Sequence, residues 1–248
     1  MKNINIETAV LKAWPAFVQA DDDGWILRFA DGYTKRANSV TLLLPGTDFL
    51  EGRIQQCERL YNGKELPCIF RLLSFNDNTE IENILDARGY THGDHSLVLS
   101  QDLINKDFQA LEFDPITIEE WMKCYCELSG KEIRAHSTHI RIINNIKDKY
   151  ILAALPVNKN VLSCGLGALS IGLFGIFDIV TNPQHRNKGY GYKLINGMLH
   201  WAVRNRASAA YVQVIAENLP AVRLYQKLGY EPAYEYHYKI QNFTQHLT

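Results

Sequence analysis

A strand that ends in a polar, glycine-containing loop and is followed directly by an amphipathic helix sets the strongest limit on how this chain can fold. The apolar run before Asn182-Pro183 predicts a buried strand, and the loop after it contains Gly189 and Gly191. The helix predicted from about 191 to 204 carries its apolar residues on one face, which would pack it onto a sheet. Glycines let backbone N–H groups approach a ligand, and a helix N-terminus adds positive potential. This arrangement therefore predicts a binding site for a phosphate group.

The C-terminal half predicts an α/β fold with a mixed sheet. Strands are predicted at 150–157, 161–169, 174–181, 210–215 and 234–240, and helices at 116–128, 133–147, 191–204 and 219–228. Strands alternate with helices in the last third of the chain, which is typical of this class.

The Rossmann fold and the Walker loop both bind phosphate groups with a glycine-rich loop, and the sequence argues against both. A Rossmann fold needs Gly-x-Gly-x-x-Gly and an acidic residue at the end of the second strand. The third glycine is absent here, and the first acidic residue after the strand at 210–215 is Glu217. A Walker loop is excluded because neither Gly-Lys-Ser nor Gly-Lys-Thr occurs.

Two motifs, in the right order and at the right separation, resemble the GNAT superfamily of N-acetyltransferases. The first is Arg186-x-x-Gly189-x-Gly191, and the second is Asn218-x-x-Ala221-x-x-Leu224-Tyr225-x-x-Leu228-Gly229-Tyr230. The resemblance covers roughly residues 112–240. It implies the GNAT acyl-CoA transferase fold and an enzyme that moves an acetyl group from acetyl-CoA to a primary amine by direct attack in a ternary complex. Two alternatives stay open, which are a catalytically silent acyl-CoA-binding regulatory module and a transferase that uses a longer acyl-CoA.

The resemblance also implies which residues bind acetyl-CoA. Ile179, Val180 and Thr181 would bind the acyl and pantetheine parts, and a backbone N–H of this strand would polarise the thioester carbonyl. Asn218 would bond the pantetheine arm, although an Asn before Leu219-Pro220 is also a good helix N-cap. The pyrophosphate would lie on the loop and the first helical turn, at Arg186, Asn187, Lys188, Gly189, Tyr190, Gly191 and Tyr192.

The same resemblance assigns the proton donor but leaves the base open. Tyr225 would protonate the departing thiolate as the general acid, while its structural alternative is a core aromatic. Asp178, on the strand before the loop, is the first candidate base, although strand alternation does not fix the face on which it lies. Glu127 and His136 are further candidates in the helical region that usually lines the acceptor cleft. A water chain would serve instead of any of them.

The N-terminal half contains an echo of the C-terminal half. Strands are predicted there at 25–29, 33–36, 40–44, 66–73 and 95–99, and helices at 48–61 and near 81–88. Ile84–Tyr90 matches Leu224–Tyr230 in form, as a helix end, a glycine and an aromatic. This repetition predicts a GNAT-like copy of the same fold.

The residues for cofactor chemistry are missing from this copy. Its loop at 45–48 has one glycine, and the carboxylate of Asp48 would repel a pyrophosphate. Leu85 precedes Asp86 where the other half has its tyrosine, so the proton donor is absent too. We therefore predict a degenerate GNAT-like domain at 1–105 and a catalytic GNAT acetyltransferase domain at 112–248.

Composition limits the partners. A net charge of −1 argues against a general electrostatic footprint for nucleic acid or an anionic membrane. No apolar run reaches the roughly 18 residues of a spanning helix, and the N-terminus lacks a signal-peptide core, so a cytoplasmic location is predicted. The five cysteines form neither a disulfide framework nor a zinc-site spacing. The predicted partners are acetyl-CoA and a small-molecule or peptide amine, while the acceptor's identity and the oligomeric state are open.

Overall fold

The structure is a computed structural model that describes residues 2–44, 49–157 and 160–242. The helices in this part of the chain are α1 (Lys2–Ala13), α2 (Leu50–Asn62), α3 (Thr79–Ala87), α4 (Ile118–Ser129), α5 (Ser137–Asn144), α6 (Tyr190–Arg204) and α7 (Leu219–Lys227). The strands are β1 (Val18–Asp22), β2 (Trp25–Phe29), β3 (Val40–Leu42), β4 (Ile69–Leu73), β5 (Thr91–Asp102), β6 (Lys149–Val157), β7 (Asn160–Ser170), β8 (Leu173–Thr181), β9 (Ala209–Ile215) and β10 (Glu231–Ile240). The predicted α/β class with a mixed sheet is confirmed.

The described residues form two compact units whose segments alternate along the chain. Among the described residues, the first unit comprises those within 2–15, 98–214 and 218–233, and the second those within 16–97, 215–217 and 234–242. The division predicted from the sequence consists of two continuous segments, 1–105 and 112–248, and it stays a prediction.

The first unit is built on strands in the order β6-β7-β8-β9-β5. β6, β7 and β8 are antiparallel, whereas β8 and β9 are parallel. Phe174 of β8 packs against Trp201 of α6, with ring centroids 5.7 Å apart, while Phe177 stacks on Trp14, directly after α1, at 5.8 Å. Because the two phenylalanines are an odd number of residues apart, they lie on opposite faces of the sheet. We call these the α6 face and the α1 face.

The second unit has the strand order β1-β2-β3-β4-β10-β5. β1, β2 and β3 are antiparallel, and β3 and β4 are parallel. Its core joins one face of this sheet to α2 and α3, with members that include Trp25, Val40, Ile54, Phe70 and Leu85.

The two halves of the chain have the same order of elements. The series β1-β2-β3-α2-β4-α3-β5 is repeated as β6-β7-β8-α6-β9-α7-β10. Gly89 after α3 and Gly229 after α7 both have positive φ angles, of 79° and 88°, and both are followed by buried tyrosines. The last strands are exchanged, since β10 lies beside β4 and β5 lies beside β9. The loop at 45–48, on which the predicted loss of phosphate binding depends, lies outside the described residues.

One strand predicted in the N-terminal half was wrong. The strand predicted at 33–36 is instead a loop and a 3-10 turn at Lys35–Ala37. The cause is Asn38, whose Oδ1 accepts hydrogen bonds from the N–H groups of Ala30 and Gly32 and so closes the loop. The antiparallel partner that precedes β2 is β1, which was not predicted.

Two helical predictions also differ from the structure. The single helix predicted at 133–147 is divided into a 3-10 turn (Ile133–His136) and α5, which ends at Asn144. α1 was not predicted at all. Both segments belong to the first unit, and α5 lies close to the residues that form its centre.

Candidate active site

The centre of the first unit is a fork between β8 and β9. The two parallel strands pair from Leu173 opposite Ala209 to Ile176 opposite Val212. Beyond Ile176, β8 continues to Thr181 and pairs there with β7. The predicted acyl-binding residues, 179–181, are half-buried along this part of β8. This part of β8 is therefore partly exposed where its pairing with β9 has ended.

A β-bulge interrupts β8 inside the fork. Cys164 is opposite Val180 and Leu166 is opposite Phe177, so Asp178 and its neighbour on β8 together face a single residue of β7. Asp178 has a φ of 52°, in the left-handed region. Such a conformation in a residue other than glycine costs roughly 1–3 kcal/mol and persists where the surroundings impose it, often at functional sites.

The bulge directs Asp178 to a buried histidine that the sequence analysis missed. His139 Nε2 of α5 lies 3.0 Å from Asp178 Oδ2, and the two side chains are 1% and 14% exposed. Aromatic rings surround His139, with centroids 5.1 Å away at Trp14, 5.5 Å at Tyr125 and 6.1 Å at Trp121. The carboxylate of Asp178 thus has a fixed orientation while part of it stays accessible.

The other candidate bases lie in different settings. Glu127 is exposed on α4. His136 is buried, with its ring centroid 5.7 Å from that of His139. Burial lowers the pKa of His136, and the neighbouring His139 lowers it further. His136 is therefore expected to be a neutral member of the cluster beside the Asp178–His139 pair.

The lowered pKa of His136 predicts a pH dependence of stability. In the unfolded chain His136 binds a proton with a pKa near 6.5, whereas in the folded chain it binds that proton only at lower pH. The free energy of unfolding therefore decreases as the pH falls from about 6.5 through the lowered pKa. His237 of the second unit, whose pKa is also lowered by burial, adds a change of the same sign. We expect His136→Asn to show a weaker loss of Tm on acidification than the unsubstituted chain, as measured by thermal unfolding. Identical pH slopes would contradict this.

Residues 182–189 join β8 to α6 and form the loop that the sequence predicts to bind a phosphate group, which we call the phosphate loop. Arg186, Asn187 and Lys188 are exposed, and α6 begins at Tyr190 after Gly189, an N-cap without a side chain. The first N–H groups of this 15-residue helix and its positive end therefore point to the loop, where an anion would be stabilised. The loop thus combines exposed polar and basic residues with the positive end of a helix.

Lys227 adds a positive charge that the sequence analysis missed. Its Nζ lies 5.3 Å from the centroid of the Tyr192 ring, in the first turn of α6. Lys227 is on α7, so only the folded chain brings it to this helix end.

The glycines of the loop have different functions. Gly189 has a φ of 85° and Asn187 has a φ of 60°, so the reversal of the chain occurs around these two residues. Gly191 is helical, and a Cβ added to it would lie 3.3 Å from Thr181 Oγ1 and 3.5 Å from Leu224 Cδ2. A side chain at Gly191 would therefore press on Thr181 unless one of the two shifted slightly, whereas the backbone angle of Gly191 would accept another residue.

A hydroxyl pair fixes the end of β8 next to this glycine. Ser163 Oγ donates to the carbonyl oxygen of Val180 at 2.8 Å and lies 2.9 Å from Thr181 Oγ1. Since the proton of Ser163 is used by Val180, the Thr181 hydroxyl donates to Ser163. Ser163 was not identified from the sequence, because a single serine in a predicted strand carries no specific signal.

The second motif places Asn218 and Tyr225 on α7. Asn218 is the N-cap, and its Oδ1 accepts a hydrogen bond from the N–H of Ala221 at 3.3 Å. Tyr225 is buried, and its ring centroid lies 5.7 Å from that of Tyr230. Burial raises the pKa of Tyr225, and the negative charge of Asp178 raises it further. The phenol is thus protonated at neutral pH and can act as a donor.

This fold, with its fork and glycine loop, is that of a GNAT-type N-acetyltransferase. The chain belongs to the family described as "Probable histone acetyltransferase Rv0428c C-terminal", whose sequence model matches residues 3–239. It is 29% identical over 246 residues to the "Uncharacterized N-acetyltransferase YobR" of Bacillus subtilis (strain 168), covering 95% of this chain and 97% of that protein. The predicted superfamily and enzyme class are confirmed.

Solved structures share the fold over nearly the whole chain. The GCN5-related N-acetyltransferase from Kribbella flavida matches with a TM-score of 0.73 at 15% identity, covering 98% of this chain and 96% of that one. A tandem GNAT protein from the clavulanic acid biosynthesis pathway matches with a TM-score of 0.61 at 13% identity, covering 95% and 87%. At these identities the likeness concerns the fold alone.

Membrane spans and metal clusters are both absent from the described residues. None of the helices within 2–44, 49–157 and 160–242 combines the length and the apolar character that crossing a bilayer requires. Within the same ranges, no three metal-ligating side chains lie close enough together to hold an ion. The cytoplasmic location stays a prediction.

Proposed function

We propose that this enzyme transfers an acetyl group from acetyl-CoA to a primary amine by direct attack in a ternary complex. The observation that carries the proposal is the fork between β8 and β9, whose longer strand leads directly into the phosphate loop and the N-terminus of α6. A ligand with a thioester at one end and a pyrophosphate further along would meet a sheet edge first and a helix N-terminus second. Acyl-CoA has this order of groups.

The donor would be held mainly by backbone groups. The pyrophosphate would lie on the loop and first turn at 186–192, with Lys227 as an additional cation. The pantetheine arm would run along 179–181 and reach Asn218. The Nδ2 donor of Asn218 does not take part in its N-cap bond, so capping α7 and binding the arm are compatible.

The transfer requires two proton movements, one of which would use Asp178 on β8 and the other Tyr225 on α7. The amine nitrogen forms a bond to the thioester carbon while Asp178, oriented by His139 at 3.0 Å, takes the amine proton. A backbone N–H of the 179–181 segment stabilises the carbonyl oxygen as it becomes negative. The carbon–sulfur bond then breaks, and Tyr225 gives its proton to the thiolate. The products are an amide and CoA.

Turnover separates this proposal from a silent acyl-CoA-binding module. The full chain would be incubated with acetyl-CoA and a panel of small-molecule and peptide amines, and both CoA release and the acetylated amine would be quantified. We expect release that depends on one class of amine. If acetyl-CoA binds but every amine leaves CoA release at the background rate, the silent module is the better description.

A substitution in α6 tests the position of the pyrophosphate. We expect Gly191→Val to abolish detectable acetyl-CoA binding in calorimetry, because the added Cβ would lie 3.3 Å from Thr181 Oγ1 and its methyl groups would crowd the loop. Gly52→Val is the matched control, since Gly52 lies in the first turn of α2, the counterpart of α6 in the N-terminal half, and an added Cβ there has nothing within 4 Å. Circular dichroism would establish that both variants are folded. If folded Gly191→Val binds acetyl-CoA normally, the pyrophosphate does not bind to this loop.

A further inference from the structure

We propose that Phe177 and Tyr211 form a gate at the base of the fork, which limits the donor to short acyl chains and separates it from a cavity on the α1 face. The inference rests on the proposed donor site. It adds the residues that decide acyl length, which neither the motifs nor the fold determine.

The two rings stand where the parallel pairing ends. Tyr211 precedes Val212, the last paired residue of β9, and Phe177 follows Ile176, the last residue of β8 paired with it. Their ring centroids are 6.3 Å apart with the planes at 85°, an edge-to-face contact. Phe177 is 3% exposed and Tyr211 is 1% exposed. Together the rings fill the floor of the fork on the α1 face.

Gly175 allows the Tyr211 ring to reach this position. A Cβ at Gly175 would lie 2.4 Å from Tyr211 Oη and 2.7 Å from Phe177 Cε2. The tyrosine ring therefore crosses β8 at a point where that strand has no side chain. Trp14 stacks on Phe177 at 5.8 Å, so the phenylalanine cannot retreat towards α1 without moving a second buried ring.

A cavity of about 370 Å³ lies beyond the gate. Its lining includes Ile6 of α1, Ser100 of β5, Leu173 of β8, and Ala209, Ala210 and Tyr211 of β9. Tyr211 thus borders the cavity while its ring also contacts Phe177 at the fork.

Towards the cavity, the face of the gate rings continues with two small residues, Gly175 and Ala209, and with Leu173, which lines the cavity. Strand alternation places Gly175 on the same face as Phe177, and Ala209 on the same face as Tyr211. An acyl chain that continued past the thioester along this face would meet Phe177 and Tyr211 first and then enter space that already exists. Because protein interiors are densely packed, a long chain cannot pass unless these rings move. An acetyl group ends before it reaches them.

The test is a series of acyl-CoA chain lengths measured by calorimetry on the full chain, with acetyl-, butyryl- and octanoyl-CoA as ligands and no acceptor present. We expect the unsubstituted chain to bind octanoyl-CoA at least about tenfold more weakly than acetyl-CoA. In Phe177→Ala, burial of the additional methylenes should tighten octanoyl-CoA binding by at least about tenfold. Tyr211→Leu, which removes less of the core, should change the binding in the same direction. No gain in either folded variant would overturn the gate.

Phe174→Ala is the matched control. Phe174 is an equally buried phenylalanine of β8, but it faces Trp201 on the α6 face. We expect no gain for octanoyl-CoA in this variant. An equal gain would mean that loosening of the unit, and not the gate, admits the longer chain, and would overturn the inference.

The unsubstituted chain alone distinguishes a failure of the gate from a failure of the donor site. If it binds octanoyl-CoA as tightly as acetyl-CoA, the gate is refuted while the donor site stands. If the folded chain binds none of the three ligands, the proposed donor site is refuted, and the gate with it.

Discussion

Replacing Tyr225 by Phe is expected to lower kcat by about 10²–10⁴-fold, the usual contribution of a general acid, with little change in acetyl-CoA affinity. Tyr225 is buried, and burial together with the charge of Asp178 raises its pKa, so the phenol carries its proton at neutral pH. The substitution preserves the ring and removes only the donor. Because that interaction is made mainly in the transition state, kcat and kcat/KM should fall together.

Tyr230→Phe is the control for this experiment. Tyr230 is also buried, its pKa is also raised by burial, and its ring contacts that of Tyr225 at 5.7 Å. It has no assigned step in the transfer, so its removal should leave kcat nearly unchanged. Steady-state kinetics with the acceptor identified from the amine panel would measure both variants. Equal kcat values for Tyr225→Phe and the unsubstituted chain would mean that Tyr225 has a purely structural role.

The second large effect is expected when Asp178, the proposed base, is replaced. Asp178→Asn should lower kcat/KM by about 10²–10⁴-fold, since an amide has nearly the same shape as the carboxylate but cannot take a proton at neutral pH. The side chain should keep its place, because the bulge and the 3.0 Å contact with His139 fix it from both sides.

Two further variants distinguish the possible bases. Glu127→Gln changes an exposed side chain of α4 and should leave kcat/KM nearly unchanged. His139→Asn removes the partner that orients Asp178, and should lower kcat/KM less than Asp178→Asn does. A loss in Glu127→Gln with normal activity in Asp178→Asn would reverse the assignment.

Local signals predicted the elements around the phosphate loop well. β8, α6, β9 and α7 have strong apolar patterns, bounded by Asn182-Pro183, Gly189 and Leu219-Pro220, and their predicted bounds differ from the observed ones by one residue or less. Such residues act on the backbone of their own segment, so their effect can be predicted without knowing the fold.

The pair of Asp178 and His139 could not be predicted in this way. The bulge is a mismatch of register between β7 and β8, which no single segment contains. The bulge also interrupts the alternation of side chains along β8, so this alternation cannot tell on which face of the sheet Asp178 lies. His139 lies three residues after the candidate His136, and only the packing of α5 among three aromatic rings gives it the buried position.

α1 was missed although its signal is present. Ile6, Val10 and Trp14 are spaced by four residues, as on one face of a helix, and all three are buried. The exchange of β5 and β10 is different, because both segments have the pattern of an ordinary strand and either could pair with β4 or β9. Long-range pairing of this kind is decided by the packing of the whole chain.

One acetyl-CoA should bind to each chain, at the fork and loop of the C-terminal half. Calorimetry of the full chain with acetyl-CoA measures this affinity and its stoichiometry without an acceptor, so it does not depend on knowing the amine. We expect one acetyl-CoA per chain, and none in Gly191→Val. No binding to the folded, unsubstituted chain, or a site that persists in Gly191→Val, would contradict the proposed donor site and the transfer derived from it.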